Sequence, residues 1–547
     1  MEFPVRINDR SYLTFEKPVT GRDILKQMGS SQNRKIVAWH VNHYLRPLSW
    51  VVEEEAVVDF VDTSSFEGMA VYRSTLSFLL VIAARQALGT DVFIRHSISD
   101  GYYCEFADGA ADEEKIDRLR RSLEGLVTRD VPIETVILPL DKARKIFEVQ
   151  GNASKANLLH WTGVDPVMAY RCEGQYGYFY VPLAPSAGYV DSYGIVPFGD
   201  GFVLRFPTVS SPRELPPFRP PKKLAEVFRE YSQWLDILDV GTMESLHRHV
   251  TAGRAKDLIL VSEALHSQRF NYLAEKVSKS DEVRLVCIAG PSGSGKTTSA
   301  KRLAVHLTVC GMHPLTISLD DYFLDRDKTP RDEEGNYDFE SIEALDMDLV
   351  NEHLEGLLEG ATVRLPKFNF VTGRREEGPE KALGPKGVII VEGIHGLNDR
   401  LFQNIARKSL FKIYVSPLTG ISLDTHNRTS TTDNRLLRRL VRDYRLRGKD
   451  AETTLKQWPS VIRGAQQYIF PYQEGADEMF NSALVYELSV LKGYAEPLLR
   501  TIGETSPVYG DAQRLLGILR FIPFIPSDTV PNDSILREFT GGSGLDV

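Results

Sequence analysis

Residues Gly290-Pro-Ser-Gly-Ser-Gly-Lys-Thr297 fit the spacing G-x-x-x-x-G-K-[ST], with a second threonine at Thr298. Each residue type answers a chemical need. Glycines at 290, 293 and 295 let successive backbone N–H groups close around a phosphate with no Cβ in the way. A helix starting directly afterwards adds the positive end of its dipole. Lys296 can reach the β- and γ-phosphates of a nucleotide, and the Thr297 hydroxyl can hold Mg²⁺. The competing reading is a Gly/Ser-rich turn with a chance lysine. The complete spacing and its flanks favour a nucleotide site: an apolar run of buried-strand type, Val283 to Ala289, precedes it, and a helical pattern with Leu303, Ala304 and Leu307 follows.

Three further stretches could act on a bound phosphate. Ser318-Leu-Asp-Asp-Tyr-Phe323 closes a second candidate strand with adjacent acids. In an open α/β sheet, ligands sit at the carboxyl ends of strands. One acid there can accept a proton from a substrate hydroxyl, and either can help hold Mg²⁺ through water. An Asp pair capping a turn would look the same. Val388-Ile-Ile-Val-Glu-Gly-Ile394 is an apolar strand ending in the carboxylate of Glu392, a second Mg²⁺ candidate. Asp433 to Gly448 carries six arginines, of which Arg435, Arg438, Arg439, Arg442 and Arg445 follow three-and-four spacing, so most share one helix face. Their planar donors match phosphate oxygens. A solvated basic face or an RNA patch are the alternatives, and with only Tyr444 available for base stacking RNA is the weaker one.

These residues need a sheet to hold them. Candidate strands at 283–289, 314–319, 387–392 and 411–415 alternate with helical patterns, one running from about Ser341 to Leu358. That alternation predicts an α/β fold with a parallel sheet over 281–500. The whole chain has 547 residues, enough for about three or four domains. Its net charge of −9 excludes a global basic field for DNA or an anionic membrane. Cys104, Cys172, Cys287 and Cys310 lie far apart, which excludes a disulfide framework or a zinc ribbon and fits a reducing compartment. The N-terminus lacks a signal-peptide h-region, and the apolar run Phe78 to Ala84 is too short to span a bilayer. The expectation is a cytoplasmic protein with no membrane partner.

Ahead of this region, residues 1–62 read as a small β-rich module. Val5, Ile7, Tyr12 and Phe15 suggest a hairpin, Gly21 to Met28 a helix, and 36–42 and 56–61 further strands. The order resembles the TGS domain, a ubiquitin-like β-grasp module. Residues 63–245 form a second unit, with a helix over Thr75 to Leu88 and the stretch Ile94 to Phe106. Asp100-Gly-Tyr-Tyr-Cys-Glu-Phe106 resembles the second additional domain of threonyl- and alanyl-tRNA synthetases, an α+β domain. In that family a helix opening with two histidines comes first; Arg73 and Ser77 stand at those positions here. Arginine does not lose its proton and is no metal ligand. His96 and Cys172 are left as lone residues with structural roles. Ser210 to Pro221 is Pro-rich and reads as an extended connection, residues 222–277 have helical spacing, and 246–280 is expected to be a helical linker to the catalytic domain. Residues 501–547 read as a helix, Asp511 to Leu519, and an irregular tail without chemistry.

Taken together, the loop at 290–297, Asp320-Asp-Tyr-Phe323, Tyr337-Asp-Phe-Glu340, Leu365 to Thr372, Val391-Glu-Gly-Ile394 and the arginine run resemble the uridine kinase/phosphoribulokinase family, over about 281–500. The resemblance implies a P-loop kinase fold and transfer of the γ-phosphoryl of ATP to a hydroxyl, usually the 5′-hydroxyl of uridine or cytidine. Asp320 would be the catalytic base, with Lys296, Arg439 and Arg442 as its catalytic companions. Gly290, Pro291, Ser292, Gly293, Ser294, Gly295, Lys296, Thr297 and Thr298 would hold ATP, and Arg435 and Arg438 would close over it as part of a lid. Asp320, Tyr322, Asp338, Phe368, Phe370 and Arg442 would meet the acceptor. Thr297, Asp320 and Glu392 would surround Mg²⁺. Where uridine-binding members place a base-contacting histidine, this chain has Gly373, which leaves the base open. The expected partners are ATP, a nucleoside and a second copy of the chain, with tRNA a candidate for the front half. The rival readings are a kinase for another hydroxyl, such as a sugar phosphate or pantothenate, and a regulatory ATPase whose front half senses tRNA or a metabolite.

Overall fold

The protein is described from a computed structural model, which covers residues 3–7, 11–30, 35–99, 101–209, 211–212, 214–332, 335, 337–369 and 372–546. At the centre of the catalytic region lies Leu285–Ala289, a strand buried at every residue. It pairs in parallel with Gly387–Glu392 on one side and Leu410–Ser416 on the other, so that Val286 stands between Ile390 and Phe411. His313–Ser318 extends the sheet beyond Gly387–Glu392, and Glu478–Asn481 extends it beyond Leu410–Ser416. All five strands are parallel. Such strands are covered by helices on both faces, which is why they read as continuous apolar runs. Glu478–Asn481 has no such run; four residues are too few for a period to show. The helix expected from Ser341 starts at Met347, because the Asp346 carboxylate accepts from the Leu349 N–H at 3.2 Å and caps it there.

The first 62 residues build a mixed five-stranded sheet in the order 11–15, 3–7, 56–62, 36–41, 44–46, with only the contact between 3–7 and 56–62 parallel. Helix Gly21–Gln27 is opened by a capping box between Thr20 and Asp23 and buries Ile24 and Leu25 in the same core as Trp39. The second unit packs helices Phe66–Leu88 and Glu113–Thr128 on the antiparallel sheet 194–198, 201–205, 101–106, 92–98. By length and composition Phe66–Leu88 could cross a membrane, but most of its apolar window is buried against this sheet. Arg73 lies over the Phe206 ring at 4.9 Å, and His96 is sandwiched between Phe228 and Tyr103 at 3.7 and 5.1 Å. Burial pushes the His96 imidazole down to about 3.

Two sequence expectations need correction. The supposed linker 246–280 is part of the catalytic core. Helix Ala255–Ser278 lies along helix Lys296–Val309, and its buried Glu263 accepts from Arg302 at 3.1 Å and from the Tyr486 hydroxyl at 2.6 Å. The supposed tail 501–547 is packed as well, with Ile535, Leu536 and Phe539 fully buried. Helical spacing marks an apolar stripe but does not say what covers it. Contacts also join the front units to the catalytic region: Lys155 pairs with Asp424 at 3.5 Å, His426 with Asp91 at 3.0 Å, and the Tyr44 and Tyr509 hydroxyls meet at 2.9 Å.

If Ala255–Ser278 belongs to the core, Glu263→Ala takes from Arg302 and Tyr486 the buried carboxylate they share, leaving the one to the Ser267 hydroxyl and the other to the longer Ser534 contact. Removing one partner of a buried pair costs about 3–5 kcal/mol. Glu275→Ala on the same helix breaks only exposed contacts, with Lys279 and Asn271, and should leave the midpoint almost where it was. Urea unfolding of both variants tests this; equal midpoints would restore the linker reading.

Candidate active site

The loop follows the central strand without slack. A Cβ at Gly290 would stand 1.9 Å from the Val415 carbonyl oxygen, so the chain enters the loop in contact with the neighbouring strand. Gly295, at φ +83°, then turns directly into helix Lys296–Val309, whose start has no side-chain cap. The first N–H groups of that helix therefore have no partner from their own chain neighbours.

A loop whose N–H groups converge turns its carbonyls outward. Here arginines receive them. Arg435 Nε donates to the Ser292 carbonyl at 3.1 Å. Arg438 Nη1 reaches the Gly293 and Ser294 carbonyls, each at 3.4 Å, while its Nη2 donates to the Ser482 carbonyl at 2.8 Å and to the buried carboxylate of Glu487. Burial lowers the Arg435 guanidinium to about 10. These two side chains therefore hold the back of the loop, where the resemblance implied a place in a closing lid. Arg439 is split between the Ser292 hydroxyl at 2.9 Å and Asp443 at 3.2 Å. Arg442 and Arg447 also face Asp443, at 2.8 and 3.8 Å, so one buried acid gathers three arginines.

On the inner side, Glu392 Oε1 accepts from the Ser318 hydroxyl at 2.7 Å and the Thr297 hydroxyl at 3.3 Å. Two strand ends and the start of the loop helix thus meet at one carboxylate oxygen. Burial and then the Asp320 charge raise the Glu392 carboxyl to about 7, opposed by Lys296. Lys296 is itself lowered by burial, with the charges of Glu392, Asp320 and Glu538 acting the other way. The adjacent acids separate clearly. Asp320 bears on Lys296, Glu392 and His395. Asp321 turns away, accepting from the Phe368 N–H at 3.1 Å and pairing with Lys367 at 3.3 Å.

Other expected acceptor residues fall in different places. Tyr322 is 1% exposed and its hydroxyl meets His353 Nδ1 at 3.1 Å, so it belongs to the core beside the site. The short 3₁₀ turn Leu319–Tyr322 rotates it away from Asp320, which a motif alone does not reveal. Phe368 is buried with its ring edge-on to Phe323 at 5.8 Å. Phe370 lies outside the described residues. Asp338 accepts from the Tyr468 hydroxyl at 3.3 Å and from the Glu340 N–H at 3.1 Å.

Sequence reasoning missed several groups. Glu340 is raised by burial, though Arg439, Lys296 and Arg435 pull it down. It stood in the quoted motif Tyr337 to Glu340, and its approach to Gly464, where a Cβ would stand 2.4 Å away, was not readable. His395 is 1% exposed and held down to about 4 by burial. Glu538 reaches the loop from the C-terminal segment, with no signal in the sequence.

The raised Glu392 carboxyl has a stability consequence. Between its ordinary 4.5 and about 7, the folded state keeps a proton that the unfolded chain releases. Its contribution to stability is therefore lost as pH rises across that window. Relative to Glu392→Gln, the unliganded wild type should lose melting temperature over that range. A constant difference from pH 4 to 8 would mean the carboxyl ionises normally.

The profile of the Phosphoribulokinase / Uridine kinase family matches residues 285–488. A uridine kinase of Vibrio vulnificus is 31% identical over 204 residues, covering 37% of this chain and 88% of the relative. A uridine kinase of Anoxybacillus flavithermus is 31% identical over 194 residues, covering 35% and 83%. A solved structure described as a possible uridine kinase from Bacillus stearothermophilus is 23% identical, covering 27% of this chain and 79% of its own, with a TM-score of 0.23. The parallel sheet, the loop at its centre and this match over most of the relatives' length lead to one conclusion: the chain belongs to the phosphoribulokinase/uridine kinase family, phosphotransferases whose acceptor is a hydroxyl group.

Proposed function

We propose that this protein is an ATP- and Mg²⁺-dependent nucleoside kinase that phosphorylates the 5′-hydroxyl of uridine, and of cytidine. The observation that carries the reading is the meeting of the Thr297 and Ser318 hydroxyls on the Glu392 carboxylate, with Lys296 and Asp320 beside it. A hydroxyl and one or two carboxylates suit Mg²⁺, which keeps several waters and takes the rest of its ligands from phosphate oxygens. Thr297, Glu392 and Asp320 would hold the ion, which supplies positive charge to the phosphates when bound. The loop N–H groups and Lys296 hold the phosphate chain in line. Asp320 accepts the proton of the 5′-hydroxyl as its oxygen bonds to the γ-phosphorus and the bond to the β-phosphate oxygen breaks, releasing ADP. Arg439 and Arg442, held by Asp443, offer guanidinium donors to the charge that spreads over the moving phosphoryl group. Asp338 with Tyr468 is the polar pair proposed to meet the ribose.

One observation favours a second acceptor class. Gly373 has φ +68°, and a Cβ there would stand 2.7 Å from Arg326 Nε. A guanidinium therefore lies where the resemblance expects a base-contacting imidazole. Such a group suits an acceptor bearing a phosphate or carboxylate. A panel of uridine, cytidine, a sugar phosphate and pantothenate, each with Mg·ATP, separates the readings. Phosphorylated uridine or cytidine supports the first, and phosphorylation of only the anionic acceptors supports the second.

The front modules are proposed to bind rather than catalyse. The mixed sheet with its single parallel contact supports the TGS-like reading of the first. In the second, Arg73 stacked on Phe206 supports a structural use of the position that holds histidine in the synthetase domain.

The two aspartates give a sharp kinetic expectation. Asp320→Asn should lower kcat by about 10²–10⁴, the usual worth of general-base help, with ATP affinity little moved. Asp321→Asn keeps an oxygen for the Phe368 N–H, loses only the charge that pairs with Lys367, and should cost far less. Steady-state kinetics with acceptor and ATP varied check both, and an active Asp320→Asn would refute the assignment.

A further inference from the structure

The C-terminal segment places a carboxylate on the phosphate loop. Glu538 Oε2 accepts from the Thr298 N–H at 3.1 Å and from the Thr298 hydroxyl at 2.8 Å. Thr298 is the third residue of the loop helix, and its N–H is one of the donors that such a helix start leaves for an anion. One carboxylate oxygen thus receives both polar groups of this residue. Around it the approach is built. Ile535, Leu536 and Phe539 are fully buried, and the Ile535 Cγ2 lies 2.6 Å from where a Gly295 Cβ would be. Arg438 sits under the Phe539 ring at 5.1 Å, and Arg445 Nη1 donates to the Phe539 carbonyl at 3.4 Å. The backbone carrying Glu538 is therefore fixed by packing, while its own side chain is only half-buried.

We propose that Glu538 is a built-in competitor for the nucleotide: its carboxylate occupies the Thr298 donors in the empty enzyme and must swing aside before the phosphate chain seats. The inference rests on reading the loop as the ATP phosphate site. A phosphate held at Thr298 and the Glu538 carboxylate carry like charges and need the same N–H and hydroxyl, so only one can be there. The short turn Arg537–Thr540 stays packed on the arginine helix while the side chain moves. When product leaves, the carboxylate returns and refills the donors. Binding of ATP is thereby weakened by the strength of the contact it displaces, and release of ADP is assisted by the same amount.

The test is equilibrium binding of ATP to the full chain, wild type against Glu538→Ala and Glu538→Gln, with steady-state kinetics beside it. Hydrogen bonds to a charged group justify about a 10- to 100-fold gain in ATP affinity for Glu538→Ala. Glu538→Gln keeps an acceptor without the charge and should fall between. The KM for ATP should drop with the binding constant, while the KM for the acceptor stays where it was. A purely structural role for Glu538 would leave both affinities alone. Glu538→Ala binding ATP no more tightly than the wild type overturns the proposal and leaves the nucleotide site intact. Failure of all three proteins to bind ATP overturns the reading of the loop, and the proposal with it.

Discussion

The site depends on what happens to the carbonyl groups of residues 292–294. A backbone that points its N–H groups at one spot must point its carbonyls elsewhere, and buried carbonyls without donors are expensive. Arg435 and Arg438 supply those donors from a helix more than a hundred residues downstream. Arg438 is in turn anchored by Glu487 and by Ser482, just beyond the edge strand Glu478–Asn481. Loop, arginine helix and sheet edge are thus one hydrogen-bonded body. The loop can be rich in glycine and still rigid, because its outer surface is held by side chains that are themselves held.

The same economy governs the charges. Lys296, Glu340 and Glu392 lie among Asp320 and the arginines, and the ionisation of each of these three is shifted by burial and by its charged neighbours. Asp443 keeps three neighbouring guanidiniums from repelling one another apart. An acid in the middle of an arginine run thus lets the run be dense. The run looked like a uniform anion clamp in sequence, yet it divides by partner: Arg435 and Arg438 hold the loop carbonyls, Arg439 reaches the Ser292 hydroxyl, Arg442 turns to Asp443, and Arg445 turns to the C-terminal segment.

Local chemistry was the legible part. The loop spacing, the strand ending in Glu392 and the acid pair could be read because each is a short motif on a strongly apolar strand. Even the division between Asp320 and Asp321 followed from neighbouring side chains pointing apart, although a 3₁₀ turn rather than an extended strand achieves it. The same turn buries Tyr322, which adjacency in the motif had assigned to the acceptor. What escaped was whatever depends on long-range packing. Glu478–Asn481 is too short to show a period, the helices between 222 and 278 showed stripes without a destination, and nothing near Glu538 hints at Thr298. These relations exist only between elements far apart in the chain.

The hydroxyl contact between Tyr44 and Tyr509 joins the first module to the start of the C-terminal segment, and the segment ends against the nucleotide loop. His43 presses on the same point, since a Cβ at Gly510 would lie 2.8 Å from its carbonyl oxygen. A chain whose opening residues touch its closing ones, and whose closing ones touch the catalytic loop, does not divide where its motifs divide. A kinase fragment cut at the edge of the family match would leave the inner face of the arginine helix bare of Ile535, Leu536 and Phe539. The seams visible in the sequence are therefore not seams in the fold, because side chains from the first module, the C-terminal segment and the loop at 290–297 meet one another across them.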